Sequence, residues 1–261
     1  MNTSKKNCLE LALYAGEIML KNGAETYRVE DTIIRICKVY GIHSVEPFVT
    51  PTGIFVSVNE IGNDESESVS FIKRIRSRTI DLNKISQVND FSRKLAYEKL
   101  SLSEGLEVLK NIDCIPKYNK YLKLLCAGTA SAFFGLLLGS VITDALVSFC
   151  ISMIVYTTVS FVEGLNSNQF IQNAIGGATA SFLAICSIIL NLGVNIDKII
   201  ISSIMILLPG VAITNAVRDS ISGDLISGLA RAAEAFIIAI SIAAGVGIVM
   251  NTWLHIFGGI I

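Results

Sequence analysis

The feature that most constrains this sequence is the uneven distribution of its charged residues. The chain has 21 Lys and Arg and 22 Asp and Glu residues, and 33 of these 43 charges lie in positions 1–120. Only 10 lie in positions 121–261. A charged side chain is costly inside a lipid bilayer, whereas the surface of a water-exposed domain is rich in charges. The sequence therefore predicts a water-exposed domain followed by a membrane domain.

Five apolar segments dominate the second part of the chain, which we place at 116–261. Their approximate positions are 121–140, 145–162, 170–191, 199–217 and 229–250. Each approaches the roughly 20 residues that an α-helix needs to cross a hydrocarbon core about 30 Å thick. A very large buried helical core is the alternative, but the segments have few polar faces to support it. We expect an all-α membrane bundle of five transmembrane helices.

The first part, at 1–115, has the mixed patterning of an α+β domain. Apolar residues recur with helical spacing before Asn22-Gly23 and again over 25–40. The rest of this part predicts two strands around a turn at 51–53, a polar loop at 61–68, a third strand at 70–82 and helix over 82–112. The length is close to the common size of a domain. We therefore expect one cytoplasmic α+β domain here.

Positive charges near the span ends predict the orientation. One set of flanks contains Lys117, Lys120, Lys123, Arg218 and Arg231, and the opposite set contains only Lys198. Cytoplasmic loops carry the excess of Lys and Arg, so the N-terminal domain is expected in the cytoplasm and the chain in the cytoplasmic (inner) membrane. Glu10 and Glu17 interrupt the apolar positions of the first helix, which therefore differs from a signal peptide.

A broken helix is expected where the fourth apolar segment contains Pro209 and Gly210. Proline lacks a backbone N–H and clashes with the preceding turn, and in lipid such a break survives only when it is buried in protein or lines a wet cavity. A half-helix that restarts here would present its N-terminal amides to an anion. Thr214, Asn215 and Arg218 follow within the next turns. These five residues are the predicted substrate contacts, and a simple proline kink is the alternative.

Further charges follow this break and predict a gate or a coupling site. Asp219, Asp224, Arg231 and Glu234 lie between the break and the fifth segment, and Glu163 ends the second segment. Charges near a bilayer usually pair with one another or face a solute pathway. Glu163 is a possible partner for Arg231 and Glu234, and proton coupling through Asp224 or Glu234 is a hypothesis. A solvated cytoplasmic loop is the alternative.

Small residues recur with helical spacing in two of the apolar segments. They are Gly128, Ala132, Gly135 and Gly139 in the first, and Gly176, Gly177, Ala180 and Ala184 in the third. Such stripes let helices approach closely in lipid. The sequence leaves open whether these helices pack within the chain or against a second subunit.

Other functional classes find little support in the sequence. The net charge of −1 and the lack of a basic stripe argue against nucleic-acid binding. Glu25, Arg28, Glu30 and His43 could perform acid–base chemistry, but acidic residues at a helix start are also favoured by the helix dipole. The sequence has no Walker loop, no GxGxxG, no metal-ligand spacing and no CxxC pair, so no cofactor or metal is expected.

Three stretches carry a resemblance to a known family. LLPGVAITNAVRDSISGDLISGLARAAEA, beginning at Leu207, strongly resembles the signature of the threonine/serine exporter family. NGAETYRVEDT at 22–32 is similar to an element of the same family, and PTGIFVSV from Pro51 resembles its strand turn. The resemblance covers nearly the whole chain.

The resemblance implies a secondary exporter of small hydrophilic metabolites, with no cofactor. Family members export threonine and serine, or belong to two-gene systems assigned to dicarboxylates such as succinate. Because full-length members carry a second group of spans, this chain is expected to be the larger subunit of a split system. A small all-transmembrane partner subunit is implied, in a hetero-oligomer or homo-oligomer surrounded by lipid. A regulatory or assembly subunit that senses a metabolite, and a membrane-anchored enzyme, are the alternatives.

Overall fold

The contacts within the chain divide it into two units. The structure is a computed structural model that describes residues 3–61, 66–98, 100–116, 118–165 and 167–258. The first unit comprises Met1–Pro116 and Val211–Ala232. The second unit comprises Lys117–Gly210 and Ala233–Ile261. The stretch Val211–Ala232, which the sequence places in the membrane part, thus groups with the N-terminal residues. The domain boundary near 115 stays a prediction.

The N-terminal residues form an α+β arrangement. Its elements are α1 (Thr3–Lys21), α2 (Thr26–Val39), β1 (Val45–Thr50), β2 (Gly53–Ile61), β3 (Ser66–Arg74), α3 (Leu82–Glu98) and α4 (Leu102–Asp113). The three strands form an antiparallel sheet in the order β1-β2-β3. Alternate residues of β2, among them Ile54 and Val56, are buried, whereas Phe55 between them is 40% exposed. One face of the sheet therefore meets the apolar faces of α1 and α2, which bury Leu9 and Ile33.

The third strand does not lie where the sequence predicts it. The structure has β3 at Ser66–Arg74 rather than 70–82, so Ile61 and residues 66–68 belong to strands and not to a loop. The rest of the predicted loop, 62–65, lies outside the described residues. Arg74 pairs with Gly53, the first residue of β2, so the ladder has no further partner strand beyond this point. The following segment bonds instead to α1, because the Thr79 amide donates to the Lys21 carbonyl over 2.8 Å.

The helical pattern predicted over 82–112 forms two helices. α4 begins after Ser101, whose Oγ accepts a hydrogen bond from the Glu104 amide over 3.3 Å. The Glu104 carboxylate accepts one from the Ser101 amide over 2.8 Å. This reciprocal pair is a capping box, which satisfies two backbone donors at a helix start. It separates α3 from α4.

From Lys120 onward, the secondary structure of the described residues is helical. They are α5 (Lys120–Leu137), α6 (Ile142–Gly164), α7 (Gln169–Ile189), α8 (Ile196–Ile204), a 3₁₀ turn (Met205–Leu207), α9 (Gly210–Ile221) and α10 (Leu225–Phe257). Leu208 and Pro209 are not helical, and Leu208 has an extended backbone with φ −64° and ψ 136°. The chain is therefore interrupted at the position where the sequence predicts a break.

Among the described residues, α6, α7 and α10 are long and apolar enough to cross a membrane. The count becomes four if α8, its 3₁₀ turn and α9 together form one broken span. α5 has 18 residues with Lys120 and Lys123 in its first turn, and it falls outside this set. The structure therefore supports three or four spans in the described ranges. The fifth remains a prediction.

The small residues of the second unit pack within the chain. An added methyl group at Gly128 would lie 2.8 Å from the Phe149 ring on α6, and one at Gly177 would lie 2.6 Å from the Ile242 carbonyl oxygen on α10. Serine hydroxyls also join helices of this unit, since Ser131 Oγ on α5 donates to the Ser202 carbonyl on α8 over 2.8 Å. Close backbone approach and such hydrogen bonds hold helices together where lipid provides no hydrophobic drive.

A close contact between α7 and α10 gives a test of this packing. An added methyl group at Gly245 on α10 would lie 1.9 Å from the Ala174 carbonyl oxygen on α7, so Gly245→Ala must move one backbone. We expect a loss of about 1–3 kcal/mol or more in unfolding free energy, as for other overpacked cores. Thermal unfolding of the protein in detergent measures the change.

Gly247→Ala is the matched control on the same helix. Nothing lies within 4 Å of its added methyl group, and alanine favours a helix over glycine by about 1 kcal/mol. The control should unfold at the same temperature as the parent chain or higher. Equal destabilisation by both variants would contradict the close contact of α7 and α10.

Candidate functional site

The site begins at the turn between α1 and α2. α1 ends at Lys21, and Gly23 has a φ of +92°, which glycine adopts without a steric penalty. α2 begins at Thr26, and the preceding Glu25 makes no side-chain capping bond. The first amides of an α-helix have no partner within the helix. The start of α2 therefore depends on an acceptor from another part of the chain.

Asp219 of α9 supplies that acceptor. Its Oδ1 accepts hydrogen bonds from the Thr26 amide over 3.3 Å and from the Thr26 hydroxyl over 3.0 Å. The Asp219 side chain is fully buried. A carboxylate at a helix N-terminus is also favoured by the helix dipole. Asp219 thus acts as a capping group for α2, although 193 positions separate the two residues.

Arg231 neutralises this buried carboxylate. Its Nε lies 2.9 Å from Asp219 Oδ2, and the two side chains are 5% and 0% exposed. A second guanidinium nitrogen of Arg231 donates to the Ala24 carbonyl over 2.7 Å. A buried charge is costly unless it is both paired and hydrogen-bonded, and this pair meets both conditions. The second turn of α10 is thereby joined to the α1–α2 turn.

Two more residues of α9 contact the same turn. The Asn215 side-chain amide donates to the Gly23 carbonyl over 2.9 Å. Arg218 forms an ion pair and a hydrogen bond with Glu25. Asn215, Arg218 and Asp219 therefore contact Gly23, Glu25 and Thr26, and Arg231 contacts Ala24 between them.

Asp224 shapes the turn between α9 and α10. Its Oδ1 accepts from the Ser227 amide over 3.2 Å, which is the geometry of a helix N-cap, and its own amide donates to the Asp219 carbonyl over 2.9 Å. Ser227 Oγ in turn donates to the Val49 carbonyl over 3.4 Å. An added methyl group at Gly228 would lie 2.1 Å from Ser220 Oγ, so the two helices meet closely.

Glu30 of α2 lies near the turn between α9 and α10, and its pKa is shifted. Its Oε1 accepts from the Val49 amide over 2.9 Å. Burial raises the pKa of Glu30, and the charges of Asp224 and Asp219 add to the rise, whereas the hydrogen bond from Val49 opposes it. The ionised form of this carboxyl is therefore disfavoured in the folded protein.

A cavity of about 400 Å³ opens beside the contacts of Arg218. α2, α3 and α9 contribute its walls, and all of its lining residues belong to the first unit. The polar and charged part of the lining includes Glu25, Arg28, Asn89, Thr214, Asn215 and Arg218. Leu82, Ile85 and Val211 form an apolar part. The volume and the mixed lining are typical of a site for a small molecule.

The structure brings some of the predicted site residues together and not others. Thr214, Asn215 and Arg218 line one cavity, and the contacts of Asp219, Arg231 and Asp224 join α9 and α10 to the N-terminal residues. The remaining predicted residues belong to the second unit: Pro209 and Gly210 at the break, exposed Glu163 near the end of α6 and half-buried Glu234 on α10. All roles in binding, gating and coupling stay predictions.

The sequence interpretation missed the partners of the signature residues. It assigns Glu25 and Arg28 to helix-start charges or to an enzymatic alternative, and it gives Glu163 as a possible partner for Arg231 and Glu234. The missed signal is the start of α2, which has no Ser, Thr, Asp or Asn at the capping position and so needs an external acceptor. Within the described residues, no group of three or more His, Cys, Asp and Glu could hold a metal ion.

Comparison with known proteins assigns the chain to a family. The ThrE model of the threonine/serine exporter family matches residues 10–253. The chain belongs to the threonine/serine exporter family. The resemblance predicted from the sequence is thus confirmed, and transport rather than catalysis is the activity after which the family is named. No solved structure matches the chain.

Three relatives show how this chain compares within the family. It is 25% identical to a threonine/serine exporter of Corynebacterium glutamicum, over 95% of this chain and 52% of that protein. It is 19% identical to a probable threonine/serine exporter of Mycobacterium tuberculosis, over 92% and 45%. It is 25% identical to the probable succinate transporter subunit YjjP of Escherichia coli strain K12, over 97% and 98%. The chain therefore spans about half the length of the first two relatives.

The buried ion pair predicts a large penalty when one charge is removed. We expect Arg231→Gln to destabilise the protein by about 3–5 kcal/mol, because it leaves Asp219 buried without its counter-charge. Adding Asp219→Asn should recover part of the loss, since asparagine keeps an acceptor for Thr26. Chemical unfolding of the single and double variants in detergent measures the coupling.

Arg35→Gln is the control for loss of an arginine. Arg35 pairs with Asp31, whose side chain is 61% exposed, so this removal should cost at most about 1 kcal/mol. If Arg231→Gln cost no more than Arg35→Gln, the Asp219–Arg231 pair would not be buried as described.

The altered acidity of Glu30 predicts a stabilising variant. Because its pKa is raised on folding, the carboxyl contributes stability at low pH that is lost as the pH rises through the folded pKa. Glu30→Gln keeps an acceptor for the Val49 amide and removes the charge. We expect the variant to be more stable than the parent chain at pH 7, with an advantage that shrinks toward pH 4.5. Thermal unfolding across this range measures it.

Glu104→Gln provides a control of opposite sign. Hydrogen bonds from the Ser101 hydroxyl and amide lower the pKa of Glu104, so this variant should be less stable at pH 7. Its deficit should shrink as the pH falls. The explanation for Glu30 fails if Glu30→Gln is also less stable at pH 7.

Proposed function

We propose that this chain is one part of a secondary membrane exporter of small hydrophilic carboxylate metabolites. The observation that carries the proposal is the match to an exporter family over residues 10–253. That range includes the candidate cavity and most of every candidate span. The sequence has no ATP-binding motif, so a gradient of the substrate or of an ion would supply the energy.

We further propose the arrangement in the membrane. Residues 1–115 form the cytoplasmic domain, and 116–261 form five spans in the inner membrane with the N-terminus in the cytoplasm. The excess of Lys and Arg in one set of flanks supports this orientation. α5 would provide the fifth span, and its small residues at Gly128 and Gly135 contact α6 and α8 closely.

The substrate would be an amino acid or a dicarboxylate. One relative is named a threonine/serine exporter and another a succinate transporter subunit, and all of these solutes carry a carboxylate. Pro209, Gly210, Thr214, Asn215 and Arg218 are the proposed substrate contacts. Arg218 suits this role because a guanidinium can bind a carboxylate through two parallel hydrogen bonds.

A small all-transmembrane partner subunit would complete the exporter. The word subunit in the name of the Escherichia coli relative supports a partner, since this chain covers nearly all of that relative. Asp219 and Arg231 would control the relation of α9 and α10 to the N-terminal domain, and Glu163, Asp224 and Glu234 are the proposed gate or coupling groups. In the simplest form of coupling, Asp224 or Glu234 would bind and release a proton during transport.

Reconstitution in liposomes tests the exporter. We expect efflux of threonine, serine or succinate when this chain is present with its partner, and little from either alone. Arg218→Gln should reduce the flux about tenfold or more, as expected for loss of a charge-assisted hydrogen bond. Arg76→Gln changes an exposed arginine outside the cavity and should leave the flux unchanged.

The other outcomes separate the remaining functions. No flux of any of these solutes from the folded pair would refute the exporter. Binding of a solute without flux would favour a regulatory subunit, for which the cavity in the first unit is the supporting observation. Chemical conversion of a solute by the chain would instead support an enzyme.

A further inference from the structure

Positive charges outnumber negative charges in the group formed by Glu25, Arg28 and Arg218 at the cavity. Glu25 lies 3.3 Å from the Arg28 Nε and is also paired with Arg218, so one carboxylate faces two guanidinium groups. The Glu25 side chain is 8% exposed, whereas those of Arg28 and Arg218 are 45% and 57% exposed. The acid is thus enclosed, and the two cations keep access to solvent. The group has a net charge of +1.

The two arginines come from different parts of the sequence. Arg28 lies on α2 and Arg218 on α9, and both line the same cavity in the first unit. Each guanidinium has five N–H donors, and Glu25 together with the Tyr27 hydroxyl, which bonds Arg28 over 3.2 Å, engages only some of them. A carboxylate that enters the cavity could therefore bind both arginines.

Neutral residues complete the lining. Asn89 and Ser86 of α3 and Thr214 of α9 can form hydrogen bonds with a second polar end of a ligand. Leu82 and Val211 can contact a short aliphatic chain between the two ends. The volume of about 400 Å³ lies within the usual range for small-molecule sites.

We propose that this cavity binds a small aliphatic dicarboxylate through Arg28 and Arg218, with Glu25 holding the two arginines in place. An anion is favoured over a zwitterion, because Glu25, the one acidic group among the described lining residues, is already shared by two arginines and has little capacity left for an ammonium group. The existence of the site rests on this geometry, and the choice of ligand rests on the proposed function.

Calorimetric titration of the full chain in detergent tests the site, with succinate, threonine and succinamide as probes. We expect succinate to bind, threonine to bind more weakly and the uncharged diamide to give no signal. Binding should weaken as the salt concentration rises, because salt screens exposed charges. Tighter binding of threonine than of succinate would overturn the charge argument.

Variants separate a binding role from a folding role. Arg28→Gln should weaken succinate binding about tenfold or more without a change in melting temperature, since Arg28 is 45% exposed and Glu25 keeps Arg218 as its partner. Ser86→Trp should block the cavity sterically while keeping all of its charges. Arg93→Gln is the control, because Arg93 is an exposed arginine on α3 outside the lining.

Failure of this site and failure of the exporter give different results. If wild type and Arg28→Gln bind succinate equally, or if the folded chain binds none, the site is wrong even when the reconstituted pair exports solute. If succinate binds and Arg28→Gln abolishes binding, the site stands even when the pair shows no flux.

Discussion

The first unit depends on one buried interaction, in which Asp219 caps α2 and is neutralised by Arg231. Without this carboxylate the start of α2 would lack an acceptor, and without the guanidinium the carboxylate would be a costly buried charge. The same interaction determines the position of its neighbours. Asn215 and Arg218 lie on the same helix as Asp219, so docking of α9 brings them to Gly23 and Glu25.

This arrangement gives the charged signature a structural role that is distinct from substrate binding. Asp219 and Arg231 are buried, form an ion pair with each other and bond to Thr26 and Ala24, which favours a rigid junction. Arg218 is different, because its side chain remains largely exposed at a cavity that contains a second arginine. A polar solute therefore meets Arg218 more readily than Asp219. The signature combines residues that hold α9 in place with residues that face a cavity.

Local patterns predicted the elements better than the contacts between them. Apolar periodicity located α1 and α2, and Pro209 located the interruption before α9, because these depend on neighbouring residues. The predicted end of β3 was wrong because the true end depends on where its partner strand β2 begins. A single helical region was predicted in place of α3 and α4, although the capping box at Ser101 and Glu104 marks a new helix start. Helical spacing could not identify the partner of Arg231, because it points to Glu234, three residues further along α10. The true partner, Asp219, lies on α9, and the turn at Asp224 brings it to Arg231.

Cross-linking across the cavity tests most directly whether α9 is docked on the N-terminal residues. Ser86 of α3 and Thr214 of α9 line the same cavity, so cysteines at both positions should be joined by a short bifunctional maleimide. The accessible native cysteines (Cys114, Cys126, Cys150 and Cys186) are first replaced by serine, and Ser103→Cys with Thr214→Cys serves as the control outside the cavity. The account predicts a cross-link for the first pair in nanodiscs and none for the control. If both cysteines of the first pair react singly with maleimide but never become joined, α9 does not dock as described.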